Sequence, residues 1–276
     1  MRLGTWIFVA AIAISGAAHA AELEHLWTLD GFSSPESVAL GPDGATLYVS
    51  NVAGEAAAVD GEGFISQVSL SGEMIDLRWA EGFNAPKGIA IDGARLFVSD
   101  IDAVVEVSLA DGAILSRTAI PDASFLNDTA LAPDGSILVS DSGGAQIFQI
   151  TDGKVTVFAE GDWLAGVNGL LFEDARLVVS TMDTHGLYAL APGVDEPELI
   201  AGELGSADGI AVLADGAYLV SEWPGRLFHV TPEGEVSTLL DTRADNIYLN
   251  DFLLLGDMLL IPNWQPGTLT AYRVHR

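Results

Sequence analysis

The chain has no cysteine among its 276 residues. Disulfides and lipid attachment at a cysteine are therefore excluded, and the fold must be held by its core alone. A chain of this length can bury enough apolar surface to manage that. Positive charge is scarce as well: 11 Lys and Arg face 39 Asp and Glu, the formal net charge is −28, and the only lysines are Lys87 and Lys154. Nucleic acid and anionic lipid surfaces repel such a chain, so neither is an expected partner. The acidity suits solubility in an exported setting and equally suits attraction of a metal ion, and alone it does not choose between them. Long apolar runs are lacking too. The run at residues 6–14 follows Arg2 and leads into small residues ending Ala18-His19-Ala20, which is the pattern of a secretory signal with a small-x-small cleavage site. It is short for a membrane span. We therefore expect residues 1–20 to be a signal peptide and residues 21–276 to form one periplasmic or secreted domain, with no membrane insertion after cleavage. No Gly-x-Ser-x-Gly elbow, phosphate-binding loop or His-Glu-x-x-His motif is present. A hydrophobic fraction of 49% excludes a disordered acidic chain.

What is present is a phrase repeated six times. The copies are PESVALGPDGATLYVSN, APKGIAIDGARLFVSD, FLNDTALAPDGSILVSD, GVNGLLFEDARLVVST, SADGIAVLADGAYLVSE and YLNDFLLLGDMLLIPN. Stacked on their apolar cores, they bring Glu36, Lys87, Asn127, Asn168, Asp208 and Asn250 into register, at intervals of 51, 40, 41, 40 and 42 residues. A period near forty built of short strands predicts an all-β, six-bladed β-propeller with four-stranded antiparallel blades around a channel. The register position opens the innermost strand of each blade, so these six polar residues should converge at one channel mouth. Turns rich in Gly and Asp follow each inner strand and are read as tight hairpin turns on the opposite face. Each second strand then returns and ends at Asn51, Asp100, Asp141, Thr181, Glu222 or Asn263, a second polar register expected to line the same mouth. The sixth repeat stops after its third strand, near residues 268–274. Residues 23–29 are strand-like and should complete that blade, closing the ring. The ten extra residues of the first interval fall in a loop at residues 52–63, also at the mouth.

Glu36, Asn127-Asp128, Asn168-Gly169 and Asp208-Gly209, in blades 1, 3, 4 and 5, form a series that resembles the senescence marker protein/gluconolactonase/luciferin-regenerating enzyme family. It is similar also to the fluorophosphatase and paraoxonase calcium propellers. The resemblance covers the whole mature chain and implies a divalent metal at the channel mouth with hydrolysis of lactones or related esters. It implies Glu36, Asn168 and Asp208 as metal ligands, with Asn127 a fourth ligand or a contact to metal-bound water and substrate. It also makes Asp208 the candidate general base or nucleophile. Asp128 is the second catalytic candidate, as a carboxylate that orients the site. Two carboxylates and two amide carbonyls make a hard oxygen set suited to Ca²⁺, with Mg²⁺ or Mn²⁺ as alternatives. Polar residues at blade tops would equally solvate a water-filled channel.

Lys87 departs from that pattern. Its ammonium would oppose a cation, offset excess carboxylate, stabilise an oxyanion, or lean into solvent. The expected substrate pocket is walled by Trp163, Trp223 and Trp264, with Phe125, His185 and Asn250 close by, around a small-molecule substrate. Two other readings stay open: a non-catalytic propeller that binds a ligand or protein at the mouth, and a metal-free propeller enzyme resembling strictosidine synthase, with Lys87 in the cation's place.

Overall fold

A computed structural model describes residues 21–173, 176–194 and 196–275, so the expected signal peptide lies outside the described residues. No helix among the described residues is long and apolar enough to cross a membrane.

Six antiparallel sheets radiate from a channel, one per repeat. Their innermost strands are Pro35–Leu40, Pro86–Asp92, Leu126–Leu131, Val167–Glu173, Ser206–Val212 and, in blade 6, the broken pair Tyr248–Leu249 and Leu253–Leu255. In blades 1 to 5 the next three strands follow in chain order toward the rim. Blade 6 is completed from the other end of the chain: Glu22–Asp30 pairs with Thr268–His275, with Glu22 opposite His275 and Asp30 opposite Thr268. The expected closure of the ring is thus present, and it gives the third strand of blade 6 the partner it would otherwise lack.

The inner strands read as near-continuous apolar runs because each packs against both neighbouring blades. Six hydrophobic clusters fill the six interfaces. Ile65 and Phe83 of blade 1 meet Leu96 and Val98 of blade 2, and Leu187 of blade 4 meets Tyr218 and Val220 of blade 5. Val49 of blade 1 meets Leu260 and Leu269 of blade 6. Leu96, Leu177 and Leu187 are fully buried, and truncating such a residue to alanine costs about 2–5 kcal/mol. The Gly-Asp turns lie away from the mouth as expected. In one of them Gly44 has φ +68°, and Asp43 Oδ1 accepts the Ala45 and Thr46 amides at 3.0 Å.

One local irregularity positions the site. In blades 1 to 5 the inner strand bulges where the register residue sits, so that two residues oppose a single serine of the second strand. Glu36 and Ser37 face Ser50 in this way, and Asp208 and Gly209 face Ser221. In blades 1, 3, 4 and 5 the serine hydroxyl accepts the amide that the bulge leaves unpaired: Ser50 takes Ser37 N at 3.0 Å, Ser140 takes Asp128 N at 2.9 Å, and Ser180 and Ser221 take Gly169 N and Gly209 N at 2.8 Å. Blade 6 has Pro262 in place of the serine, with neither hydroxyl nor N–H, and there the inner strand breaks.

The second polar register does not line the channel. Asn51, Asp100 and Asp141 are buried between the strands and clamp the loop that enters their own blade. Asn51 Oδ1 accepts Ser33 N at 3.0 Å, Asp100 Oδ1 accepts Ala85 N at 2.9 Å, and Asp141 Oδ1 accepts Phe125 N at 2.7 Å. Glu222 is held instead by Arg226 at 2.9 Å. The expectation of two registers at one mouth fails because unpaired loop amides outcompete the channel for these side chains.

Candidate functional site

The six register residues are each 6% exposed or less, and all line one cleft of about 180 Å³ at the channel mouth. Ala56, Phe125, Met182, Trp223 and Trp264 make up its remaining walls. Glu36, Asn127, Asn168 and Asp208, the four expected oxygen donors, are therefore brought together, along with Lys87, Asn250, Trp223 and Trp264. Trp163 and His185 are not. Trp163 packs edge-on to Tyr188, ring centroids 5.6 Å apart, against the interface of blades 3 and 4. His185 is exposed on a left-handed turn (φ 56°), its Nδ1 2.8 Å from Gly205 O. Both lie on loops at the expected end of the disc, but local partners hold them away from the cleft.

Three buried oxygens in this cleft have no hydrogen-bond partner: Glu36 Oε2, Asn127 Oδ1 and Asp208 Oδ1. Native proteins rarely leave such atoms unsatisfied. Asn127 Oδ1 can only accept, and the two carboxyl oxygens donate only when protonated. The amide of Asn127 is turned by its own contacts, since Nδ2 donates to Ser142 Oγ at 3.3 Å. Asn168 Nδ2 lies 3.5 Å from Met182 Sδ. Among the described residues no group of three His, Cys, Asp or Glu side chains is gathered for a metal. The set here is different in kind, two carboxylates and two amides, and oxygen-only sets of this sort suit hard cations.

Burial drives the electrostatics. It pushes the Glu36 carboxyl well above the usual carboxylate range, reinforced by the charges of Asp208 and Asp251 and opposed by Lys87. Asp208 is raised well above its ordinary value by burial and by Asp251. Beneath this floor lie Asp128, on the inner strand of blade 3, and Asp251, in the break of the inner strand of blade 6, each one residue past its register position and in opposite members of the ring. Asp128 is raised by burial and by Asp251, and burial lifts Asp251 to about 6. Both oxygens of Asp128 are engaged, Oδ1 by Thr129 N and Oδ2 by Leu170 N, each at 2.7 Å, so it ties blade 3 to blade 4 beneath Asn127 and Asn168. A carboxylate held in this way orients its surroundings, with each oxygen committed to a backbone amide. Asp251 accepts Ser37 Oγ–H at 2.8 Å and Phe252 N–H at 2.7 Å, which ties blade 6 to blade 1 beneath Glu36.

Asp251 is the residue that sequence reasoning missed, and a signal for it existed. Leu126-Asn127-Asp128 recurs as Leu249-Asn250-Asp251 three blades later. The glycines that look like turn residues at Lys87-Gly88 and Asp208-Gly209 make the space. A Cβ on Gly88 would lie 2.4 Å from Asp128 Oδ1, and one on Gly209 would lie 2.4 Å from Asp251 Oδ1.

Lys87 is neither free nor paired with a carboxylate within 4 Å among the described residues. Its Nζ donates to Ala56 O at 2.9 Å and Ala85 O at 3.2 Å and sits 4.5 Å from the centroid of the Phe125 ring. Burial lowers its pKa, and the charges of Glu36 and Asp100 oppose that. Ala56 belongs to the long loop of blade 1, so the lysine straps that loop across the mouth. A larger cleft of about 580 Å³ opens on the far face between blades 3 and 4, walled by Phe158, Phe172, Leu177 and Leu190. It holds none of the register residues.

The fold is shared with solved propeller enzymes. A gluconolactonase from Xanthomonas campestris superposes with a TM-score of 0.70 at 19% identity, over 92% of this chain and 90% of that one. A streptogramin B lyase does so with a TM-score of 0.68 at 13% identity, over 95% and 100%. Virginiamycin B lyase from Staphylococcus aureus gives 0.65 at 13% identity, over 92% and 99%. Gluconolactonase, the enzyme of the family the register residues resemble, is thus among the structures that share this ring. No family model and no curated protein matches the sequence.

Proposed function

We propose that this chain is an exported, metal-dependent hydrolase of lactones or related esters, with a divalent cation, Ca²⁺ first, held at the channel mouth by Glu36, Asn127, Asn168 and Asp208. The observation that carries the reading is the trio of buried, unpartnered acceptor oxygens on Glu36, Asn127 and Asp208. A proton shared between two of them would leave the third unsatisfied, whereas a cation within reach of all three would serve each one. Such a cation supplies polarisation of an ester carbonyl and acidification of bound water. The chain's own groups do the rest. Asp208, which lines the cleft with one oxygen free of hydrogen bonds, is the proton acceptor or nucleophile. Asp128 and Asp251 fix the backbone beneath Asn127 and Asn250. Phe125, Trp223 and Trp264 keep bulk water from the floor. The run at residues 6–14 and its flanks support export.

The metal-free alternative, with Lys87 standing in for the cation, has less support. Its ammonium is spent on two backbone carbonyls and leaves the three oxygens unsatisfied. The deciding experiment is titration of chelated protein with calcium by calorimetry, alongside lactone and ester hydrolysis before and after chelation. Stoichiometric binding with chelator-sensitive turnover is the expected result. Calcium binding without turnover on any ester favours a binding propeller, and turnover indifferent to chelator removes the metal from the mechanism.

A further inference from the structure

The substrate's polar centre and its remainder meet different parts of this cleft. The polar side chains all lie at the floor, and their N–H groups are largely committed inward. Asn250 Nδ2 donates to Pro35 O at 2.9 Å, Asn127 Nδ2 to Ser142 Oγ at 3.3 Å, and Lys87 Nζ to Ala56 O and Ala85 O. Above the floor the wall is hydrocarbon, aromatic ring and thioether. Trp223 stands perpendicular to Trp264, centroids 5.9 Å apart, and edge-on to Tyr248 at 5.5 Å, so this wall is braced before any ligand arrives. Phe125 faces it from blade 3, with its backbone amide clamped by Asp141 and its ring covered by the Lys87 ammonium. The side-chain polar hydrogens of these wall residues are limited to the two indole N–H groups.

A polyhydroxylated ring placed here would bury several hydroxyls against carbon, and each unpaired hydroxyl costs free energy. An alkyl or aryl group would instead bury apolar surface. Resting on the hydrolase reading above, we infer that the substrate is a lactone or ester whose group beyond the carbonyl is apolar, and not a sugar lactone. The small volume, about 180 Å³, fits a compact head with its substituent extending along Trp223 and Trp264 toward solvent.

The test separates binding from chemistry. Two non-hydrolysable lactams, a hexyl-substituted δ-lactam and the tetrahydroxylated lactam of gluconic acid, are titrated into calcium-loaded protein while tryptophan fluorescence is read. Hydrolysis of the matching lactones is measured in parallel. The apolar lactam is expected to bind at least about tenfold more tightly, a margin that hydrophobic pockets achieve with one or two methylenes. Trp264→Ser should reduce that preference. If the apolar lactam binds but neither lactone is hydrolysed, the hydrolase reading falls and the apolar ligand class stands. If the sugar lactone is hydrolysed and its lactam binds as well or better, the hydrolase reading stands and this inference is overturned. Binding of neither lactam overturns it too.

Discussion

Ser180 of blade 4 donates its hydroxyl hydrogen to the backbone carbonyl of Asp208 in blade 5 while its oxygen accepts the Gly169 amide of its own blade. Ser99 of blade 2 makes the same link to Asn127 O in blade 3. Two of the four proposed cation ligands are therefore set by a serine in the preceding blade. Ser180→Ala removes both bonds and leaves a buried amide unsatisfied, a loss of about 1–3 kcal/mol. We expect melting to fall by several degrees and calcium binding, read by calorimetry, to weaken while the circular dichroism spectrum stays that of a β-propeller.

Asp208→Asn keeps a carbonyl oxygen in the cleft and removes the charge and the proton acceptor. Turnover should drop about 10²–10⁴-fold. In chelated protein at pH 8 the variant should melt no lower than the parent, because a buried carboxylate crowded by Asp251 has gone. A variant with parental turnover would exclude Asp208 from the chemistry.

The buried acids set a pH dependence with a definite sign. Glu36, Asp128, Asp208 and Asp251 all hold their protons more tightly folded than unfolded. Their stabilising contribution is complete below the ordinary carboxylate range and is lost as pH rises through the folded values. For Asp251 that window runs from 3.8 to about 6, on the order of 3 kcal/mol. Chelated protein should thus melt progressively lower as pH rises from 4 toward 8, and Asp251→Asn should flatten the part of that slope between pH 4 and about 6. Calcium competes with the protons, so its stabilising effect should grow over the same range. A melting temperature that rises toward pH 8 in chelator would contradict the assignment.

Lys87→Met tests the strap. Between Ala53 and Gly61 the hydrogen bond that joins the loop to the rest of the ring, among the described residues, is the one from Lys87 to Ala56 O. Hydrogen exchange in residues 54–60 should accelerate in the variant and remain parental elsewhere. Calcium should bind more tightly, since a neighbouring positive charge has been removed. Unchanged exchange in the loop would show that the lysine does not hold it.

The ring and its register were legible because a period near forty repeats one physical problem, a strand buried on both faces that surfaces at one polar residue. Glu36, Asn127, Asn168 and Asp208 could be aligned from that pattern alone. What could not be read is where a side chain turns once the backbone leaves regular geometry. The bulges put Asp128 and Asp251 under the floor, and Gly88 and Gly209, which look like turn residues, turn out to be the gaps that admit them. Asp100 and Asp141 were misplaced for the opposite reason: entry-loop amides, which leave no mark on a strand pattern, claim them. Trp163 and His185 occupy the right loops, but their partners, Tyr188 and Gly205 O, are distant in sequence or ordinary in type.

The clasp between Glu22–Asp30 and Thr268–His275 joins the first described strand to the last. During synthesis the receiving edge of blade 6 does not exist until residues 268–275 emerge, so the ring stays an open stack with a raw edge up to that moment. Closing a loop that spans almost the whole domain is entropically late and slow. The clasp is thus a late fastening, made after the five blades built from consecutive strands already have their own sheets.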